Sequence, residues 1–375
     1  MNVLIDLSAV RTGGGLQLAL NYLLVNKSNS MLNFYIILNE ELKQNNEIMN
    51  KSISNKVIGF CPNNLINRFF FEYKQIPSLI NKYKISKVFT FFGAGLPETV
   101  SAKTIVGVAY PIICYPESPY WNYIPKFEKI KKNIWNKIRV NRLKKADIII
   151  AETEVMKHRL HSLFNSEKKK IVVFPPTVSK FIDNKDLVFK TNSCFTVLVL
   201  SGLAFHKNNW RLYDVACILN DQNISVKFLC SFNKDDFIAH IKSMINKNID
   251  SLIIDKYFEF IGTVKPDKIN SLYERSNALI NISDLESYSN NYMESWKASV
   301  LLICSDRDFA HSICRDSALY CEPHSVISIA NTLIKAVNLN EVEFKSFLKN
   351  GKLYLKELPS IEEKNAFINS LLLSE

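Results

Sequence analysis

Short runs rich in Val, Ile and Phe alternate with stretches of helical periodicity along most of the chain. The first series covers residues 3–7, 33–38, 56–60, 87–91, 104–109, 147–151 and 170–174. Strands spaced by helices read as βαβ units, which build parallel sheets with helices on both faces. A second series follows at 195–201, 225–230, 258–262, 278–282, 300–304 and 317–321. Between them lies FPPTVSKFIDNKD, residues 174–186. Its prolines cannot sustain a helix, and its polar residues suit a connection between domains. The pattern predicts an α/β chain of two Rossmann-like, doubly wound domains, 1–183 and 184–375, facing across a cleft. The last helix, about 359–373, is placed to pack back on the first domain. Ligands of open α/β sheets bind beyond the carboxyl ends of the strands, so the loops there hold the candidate chemistry.

Composition narrows the class. Over 375 residues, 47% are apolar and 22% charged, which excludes wholesale disorder. No uncharged apolar run reaches the roughly 18 residues of a spanning helix. The opening MNVLIDLSAVRTGGG is interrupted by Asp6 and Arg11, so it reads as a strand entering a glycine loop and not as a signal peptide. Eight cysteines are scattered without a CxxC pair. That spacing fits neither a disulfide framework nor a zinc ribbon and points to reduced thiols in a cytoplasmic protein.

Charge adds a candidate partner. The chain carries 47 Lys+Arg against 36 Asp+Glu, a formal charge of +11. Residues 126–145 concentrate nine of the cations against one acid, Glu128, and Tyr120, Trp121, Tyr123, Phe127 and Trp135 accompany them. A basic helix with aromatics suits contact with an anionic membrane through 120–145. It equally suits a solvated face that touches nothing. No nucleic-acid module accompanies the run, so nucleic acid is not an expected partner.

Three loops carry chemistry. Thr12-Gly13-Gly14-Gly15 precedes a helix, where Gly14 and Gly15 let backbone approach a ligand and free helix amides face an anion. The loop is not GxGxxG, and the acidic residue of a dinucleotide site is missing. In the second series, strand 195–201 leads to GLAFHKNN, whose Lys207 suits neutralising a diphosphate. Strand 278–282 opens into SDLESYSNNYME, with Glu286 in the loop and Glu294 inside the next helix. Ser289, Asn290, Asn291 and the helix amides between them can hold phosphate oxygens. Taken singly, these residues read equally as a solvated lysine, a glutamate near a cap and a glutamate on an exposed face.

Their company goes further. FIGTV (260–264), residues 269–273, SNALINISDLESYSNNYMESWKASVLLICSD (276–306) and DSALYCEPHS (316–325) follow in order. Together they resemble the C-terminal half of retaining GT-B glycosyltransferases of the family-4 (group 1) type. Glu286 and Glu294 match that family's glutamate–seven residues–glutamate motif, and Lys207 matches its lysine in the first loop of the second domain. KKADIIIAE (144–152), IVVFPPTV (171–178) and the glycine loop resemble the N-terminal half, more loosely.

The resemblance implies transfer of a sugar from a nucleotide-sugar donor to a saccharide acceptor, with retention of configuration, no cofactor and no metal. Lys207 would stabilise the leaving diphosphate, Glu286 would contact the donor sugar, and Glu294 would hold the ribose. Gly14, Gly15, Gly202, Ser289, Asn290 and Asn291 would line the donor. Glu286 as nucleophile or as electrostatic partner stays open, as do the donor base, the acceptor and the linkage. The family setting implies a lipid-linked acceptor in bacterial surface-polysaccharide assembly, with the protein cytoplasmic and peripheral on the inner face of the membrane. A silent nucleotide-sugar-binding subunit and a GT-B sugar-nucleotide epimerase are the alternatives.

The chain departs from the family pattern in three places. Leu203 follows Gly202 where arginine is common. The motif interior is ESYSNN and not glycine-rich. The first domain offers Tyr110-Pro111 and Tyr115-Pro116 where a histidine is frequent. Asp306-Arg307-Asp308 imitates the DxD motif of the other large glycosyltransferase fold, at a position where the GT-B pattern has only a loop.

Overall fold

Every apolar run of both series forms a strand, displaced at either end by no more than two residues from the sequence reading. The computed structural model describes all residues except 12–13, 27–30, 45–55, 98–100, 190–193, 246 and 375. Thr12 and Gly13 of the glycine loop therefore lie outside the described residues.

Seven strands make the first sheet: β1 (Asn2–Leu7), β2 (Asn33–Asn39), β3 (Val57–Cys61), β4 (Lys87–Thr90), β5 (Lys103–Val108), β6 (Ile148–Ala151) and β7 (Ile171–Val173). Their order is β3-β2-β1-β4-β5-β6-β7, and every pairing is parallel. Leu4 of β1 sits in register with Tyr35 on one side and Val88 on the other. The second sheet contains β8 (Phe195–Val199), β9 (Val226–Cys230), β10 (Phe258–Phe260), β11 (Ala278–Asn281), β12 (Leu301–Ser305) and β13 (Ala318–Cys321). Its order, β10-β9-β8-β11-β12-β13, is again wholly parallel. Each sheet thus reverses direction beside its first strand, between β1 and β4 and between β8 and β11. Such switch points are where doubly wound sheets open a crevice for ligands.

The chain forms two compact units. One comprises Met1–Cys114, Phe127–Pro175 and Pro359–Glu375; the other comprises Tyr115–Lys126 and Pro176–Leu358. In the first unit, alternation along β1 supplies both faces of the sheet. Val3, Ile5 and Leu7 join Tyr22, Phe34 and Phe89 on one face, and Leu4 joins Phe71, Ile76 and Val88 on the other. Helix Ile361–Leu373 buries Ile368 and Leu372 in the first of these clusters. Its Asn369 accepts from the Tyr22 hydroxyl at 2.7 Å and donates to Asn26 at 2.6 Å. This ties the end of the chain to helix Gly14–Val25. In the second unit, Val197, Phe228, Ile280 and Ile303 pack with Val215 and Leu219 of helix Leu212–Asp221 and with Ile329 and Leu333 of helix Val326–Val337.

Segment Tyr115–Lys126 joins the second unit through its aromatics. Tyr123 stacks on His324 with centroids 5.4 Å apart, and the Tyr115 hydroxyl donates to Asp308 at 3.1 Å. Tyr120 and Trp121 are buried. This corrects the membrane reading of 120–145 in one respect, because rings committed to a core cannot reach headgroups. The basic run itself is a single helix, Lys126–Lys145. Among the described residues, no helix is long and apolar enough to cross a membrane.

Candidate functional site

The switch point of the second sheet brings together two predicted residues 79 positions apart. After β8 the chain passes through short turns, Phe205–Lys207 and Asn209–Arg211, on either side of Asn208. Asn208 adopts φ 56°, a left-handed conformation that asparagine tolerates better than most residues. Its side chain donates to the Ile282 carbonyl at 3.1 Å, fastening the turn to the end of β11. The Asp284 amide and the Ser283 hydroxyl both donate to the His206 carbonyl, at 2.7 and 3.2 Å. Asn209 holds Ser201 and the Gly202 carbonyl at 2.8 and 3.0 Å. Lys207 therefore projects from a turn pinned on both sides.

Glu286 is positioned by the other loop. Asn281, the last residue of β11, donates to the Ser289 hydroxyl at 3.0 Å and lies 3.4 Å from Glu286 Oε1. Lys207 Nζ donates to that same oxygen at 2.5 Å. The two side chains retain 20% and 13% exposure, so the pair is sheltered yet reachable. Asn291 spends its amide on the Leu200 carbonyl, 2.8 Å away, and so braces helix Asn290–Lys297 against the end of β8. Asn290 is exposed at the start of that helix. Glu294 lies deeper: it is buried and accepts from the Tyr273 hydroxyl at 3.1 Å. Burial pushes its carboxyl up to about 7, against the opposing effects of the Tyr273 hydrogen bond and of Lys297.

A second layer lies behind these loops, without a local signal in the sequence. Asp284 is fully buried and accepts from His324 Nε2 at 2.6 Å. Arg211 donates to His324 Nδ1 at 3.0 Å, and the Tyr123 hydroxyl lies 2.8 Å from the same nitrogen. A guanidinium can only donate, so Nδ1 accepts and Nε2 carries the proton that Asp284 receives. These four residues come from four separate segments, which is why no spacing reveals them. Asn281 carried a readable sign, being a polar residue at the carboxyl end of an otherwise apolar strand.

Elsewhere the predicted residues are placed differently. Gly15 lies at the switch point of the first sheet, where an added Cβ would come 3.2 Å from the Phe92 ring. Gly14 begins the same helix. The DxD look-alike is engaged in its own surroundings. Asp306 pairs with His311 at 2.6 Å, Arg307 takes Glu322 bidentately at 2.7 and 2.8 Å, and Asp308 accepts from the Phe309 amide at 2.7 Å. Among the described residues, no group of three or more His, Cys, Asp or Glu side chains is arranged to hold a metal ion.

Comparison with solved structures places this architecture. A sucrose-phosphate synthase from Thermosynechococcus elongatus matches over 99% of this chain and 98% of its own, at TM-score 0.74 and 12% identity. The fold is that of the GT-B class. A glycosyltransferase from Rickettsia africae matches over 100% and 99%, at TM-score 0.67 and 17% identity. An E. coli trehalose-6-phosphate structure bound with UDP-2-fluoro glucose matches over the whole of both chains, at TM-score 0.68 and 11% identity. No family model and no curated protein sequence matches the chain. Its GT-B architecture is thus shared at identities too low to carry substrate or family with it.

Proposed function

We propose that the protein is a retaining, metal-independent glycosyltransferase of the family-4 type, moving a sugar from a nucleotide-sugar donor to a saccharide acceptor. The observation that carries this reading is the Lys207–Glu286 pair at the carboxyl ends of β8 and β11. As the bond between the anomeric carbon and the diphosphate breaks, positive charge grows on the sugar ring and negative charge on the leaving group. A carboxylate beside an ammonium complements that separation, and groups fixed before the reaction stabilise it most. Lys207 takes the diphosphate and Glu286 faces the sugar, while Glu294 holds the ribose. Gly202 and the amides around Ser289, Asn290 and Asn291 receive phosphate and sugar oxygens; Gly14 and Gly15 let the backbone of their own loop approach a ligand closely. The neighbour bound with UDP-2-fluoro glucose supports a nucleotide-sugar donor.

The acceptor, in this reading, is a lipid-linked saccharide of bacterial surface-polysaccharide assembly. The protein works in the cytoplasm, at the inner face of the membrane. The net charge of +11 supports an anionic setting.

A thermal-shift screen against UDP-, GDP-, dTDP- and CMP-sugars tests the donor site, because a ligand of the native state raises the melting temperature by mass action. One nucleotide series is expected to raise it for wild type and not for Lys207→Ala. No rise with any donor would defeat the reading. A donor that binds but is never consumed, even with the native acceptor, would favour the silent subunit.

A further inference from the structure

Helix Lys126–Lys145 turns its apolar stripe the wrong way for a core helix. At about 100° per residue, Phe127, Ile130, Ile134 and Ile138 fall on one side, opposite Leu143, the residue this helix buries. They are 77%, 59%, 55% and 37% exposed, and exposed Lys131 and Lys137 flank them. A surface helix ordinarily faces such a stripe inward. Helix Leu65–Phe70, in the first unit, buries none of its residues, and its Leu65, Ile66, Phe69 and Phe70 are all more than half exposed.

The two helices are neighbours. Glu72, just past the shorter helix, accepts from Arg142 at 2.6 Å and from Arg68 at 2.7 Å. Phe69 stacks on Tyr73 with centroids 4.3 Å apart, and the Arg142 guanidinium lies 5.9 Å from the Tyr73 ring. Phe70 continues into an open groove of about 620 Å³ lined also by Phe60, Phe71 and Leu79. Eight large apolar side chains on two adjoining helices exceed the scatter expected of an ordinary surface.

We infer that these helices form one docking face for an anionic lipid bilayer. The apolar residues enter the interface and the lysines meet the headgroups. Charge selects the occupant: beside Arg139 and Arg142, which are engaged by Tyr110 and Glu72, the longer helix carries seven lysines against Glu128 alone, and a bilayer surface supplies both the apolar layer and the counter-charge. The inference deepens the lipid-linked acceptor proposed above and rests on that reading for its purpose, though docking itself requires no catalysis. Within segment 120–145 it keeps Phe127, sets aside the buried rings of Tyr120 and Trp121, and adds Ile130, Ile134, Ile138 and the Leu65–Phe70 helix.

Co-sedimentation of the full chain with vesicles tests it, using phosphatidylcholine alone and phosphatidylcholine mixed with an equal part of phosphatidylglycerol. Wild type is expected to pellet with the mixed vesicles only, and less so as salt rises. Leu65→Asp/Ile66→Asp, Ile130→Asp/Ile134→Asp and Lys131→Glu/Lys137→Glu are each expected to weaken binding about tenfold or more. All these positions are exposed, so melting temperature and the nucleotide-sugar thermal shift should remain as in wild type. That retained shift separates failure of docking from failure of the donor site. Wild type staying in the supernatant with both vesicles would overturn the inference, as would apolar variants that bind like wild type. A concentration-dependent dimer dissolved by the same variants, without vesicle binding, would make a second copy the occupant instead.

Discussion

Where β1 and β4 end, Gly15 lies against the Phe92 ring, whereas where β8 and β11 end, Lys207 meets Glu286. The strand order around the two switch points is the same. In the first unit Gly15 and Gly107 each stand close to the protein's own aromatic segment 91–92. An added Cβ would come 3.2 Å from Phe92 at Gly15 and 2.3 Å from the Phe91 carbonyl oxygen at Gly107. Asp6, on β1, is buried, accepts from the Ser8 amide and the Thr90 hydroxyl, and is raised above its ordinary value by burial. In the second unit an added Cβ on Gly202 would meet nothing within 4 Å, and the ion pair keeps access to solvent. Glycines at a strand–helix turn thus have two unrelated uses, close packing of chain on chain and open space for a ligand. Only the surroundings tell them apart.

The largest expected effect falls on the polar switch point. In the proposed reading Lys207→Ala removes the cation that would face the leaving group, and Glu286→Gln removes the opposing carboxylate. Each should lower sugar transfer about 10²–10³-fold, measured as product formed at saturating donor. Retained transfer in both variants would separate this pair from the chemistry. The counterpart in the first unit is a matter of stability. Gly107→Ala drives a methyl group into backbone, which cannot yield as a side-chain tip does. A loss of about 3 kcal/mol or more in urea unfolding is expected.

Much of the architecture was legible because parallel strands are buried on both faces and read as unbroken apolar runs. The run at 195–201 overshot β8 by two residues, since Leu200 continues the apolar texture after the ladder has ended. Lys207 and Glu286 were legible from loop position together with the family pattern. Their contact was not, because it depends on two loops meeting across a strand-order reversal. Tyr123, Arg211, Asp284 and His324 were illegible for the same reason in stronger form. Each is unremarkable in its own segment and acquires a role only when four segments converge. The outward stripe of helix Lys126–Lys145 was half legible, since periodicity reveals a stripe but never which way it faces.

Glu294 sharpens the contrast with Asp6, a buried carboxylate of the first unit. Its carboxyl is pushed up to about 7 by burial, above an unfolded value near 4.5. Between those values the folded state holds a proton that the unfolded chain has lost, so stability falls as pH rises through this window and levels off above it. Glu294→Gln should remove that slope and raise stability by about 2–3 kcal/mol at pH 8 relative to wild type, with little change at pH 4. Urea midpoints at the two pH values check it. If Glu294 also holds the ribose, the same variant binds donor more weakly while unfolding later, a combination that a purely structural glutamate would not give.

The smallest effect is the most direct test of the two switch points against each other. Gly15→Ala places a methyl group 3.2 Å from the Phe92 ring, which must give by a few tenths of an ångström. Against that strain stands the gain of alanine over glycine within helix Gly14–Val25, just under 1 kcal/mol. The two nearly cancel, and a net change within about 1 kcal/mol of wild type is expected. Gly202→Ala meets no atom, so its melting temperature should match wild type within about 0.5 kcal/mol equivalent. If Gly202 lines the proposed donor site, its donor affinity should nevertheless fall, because the methyl group then enters space that phosphate oxygens would take. Unchanged affinity in Gly202→Ala would mean that the open position beside Lys207 is merely unfilled. The difference between the two units would then reduce to the ion pair alone.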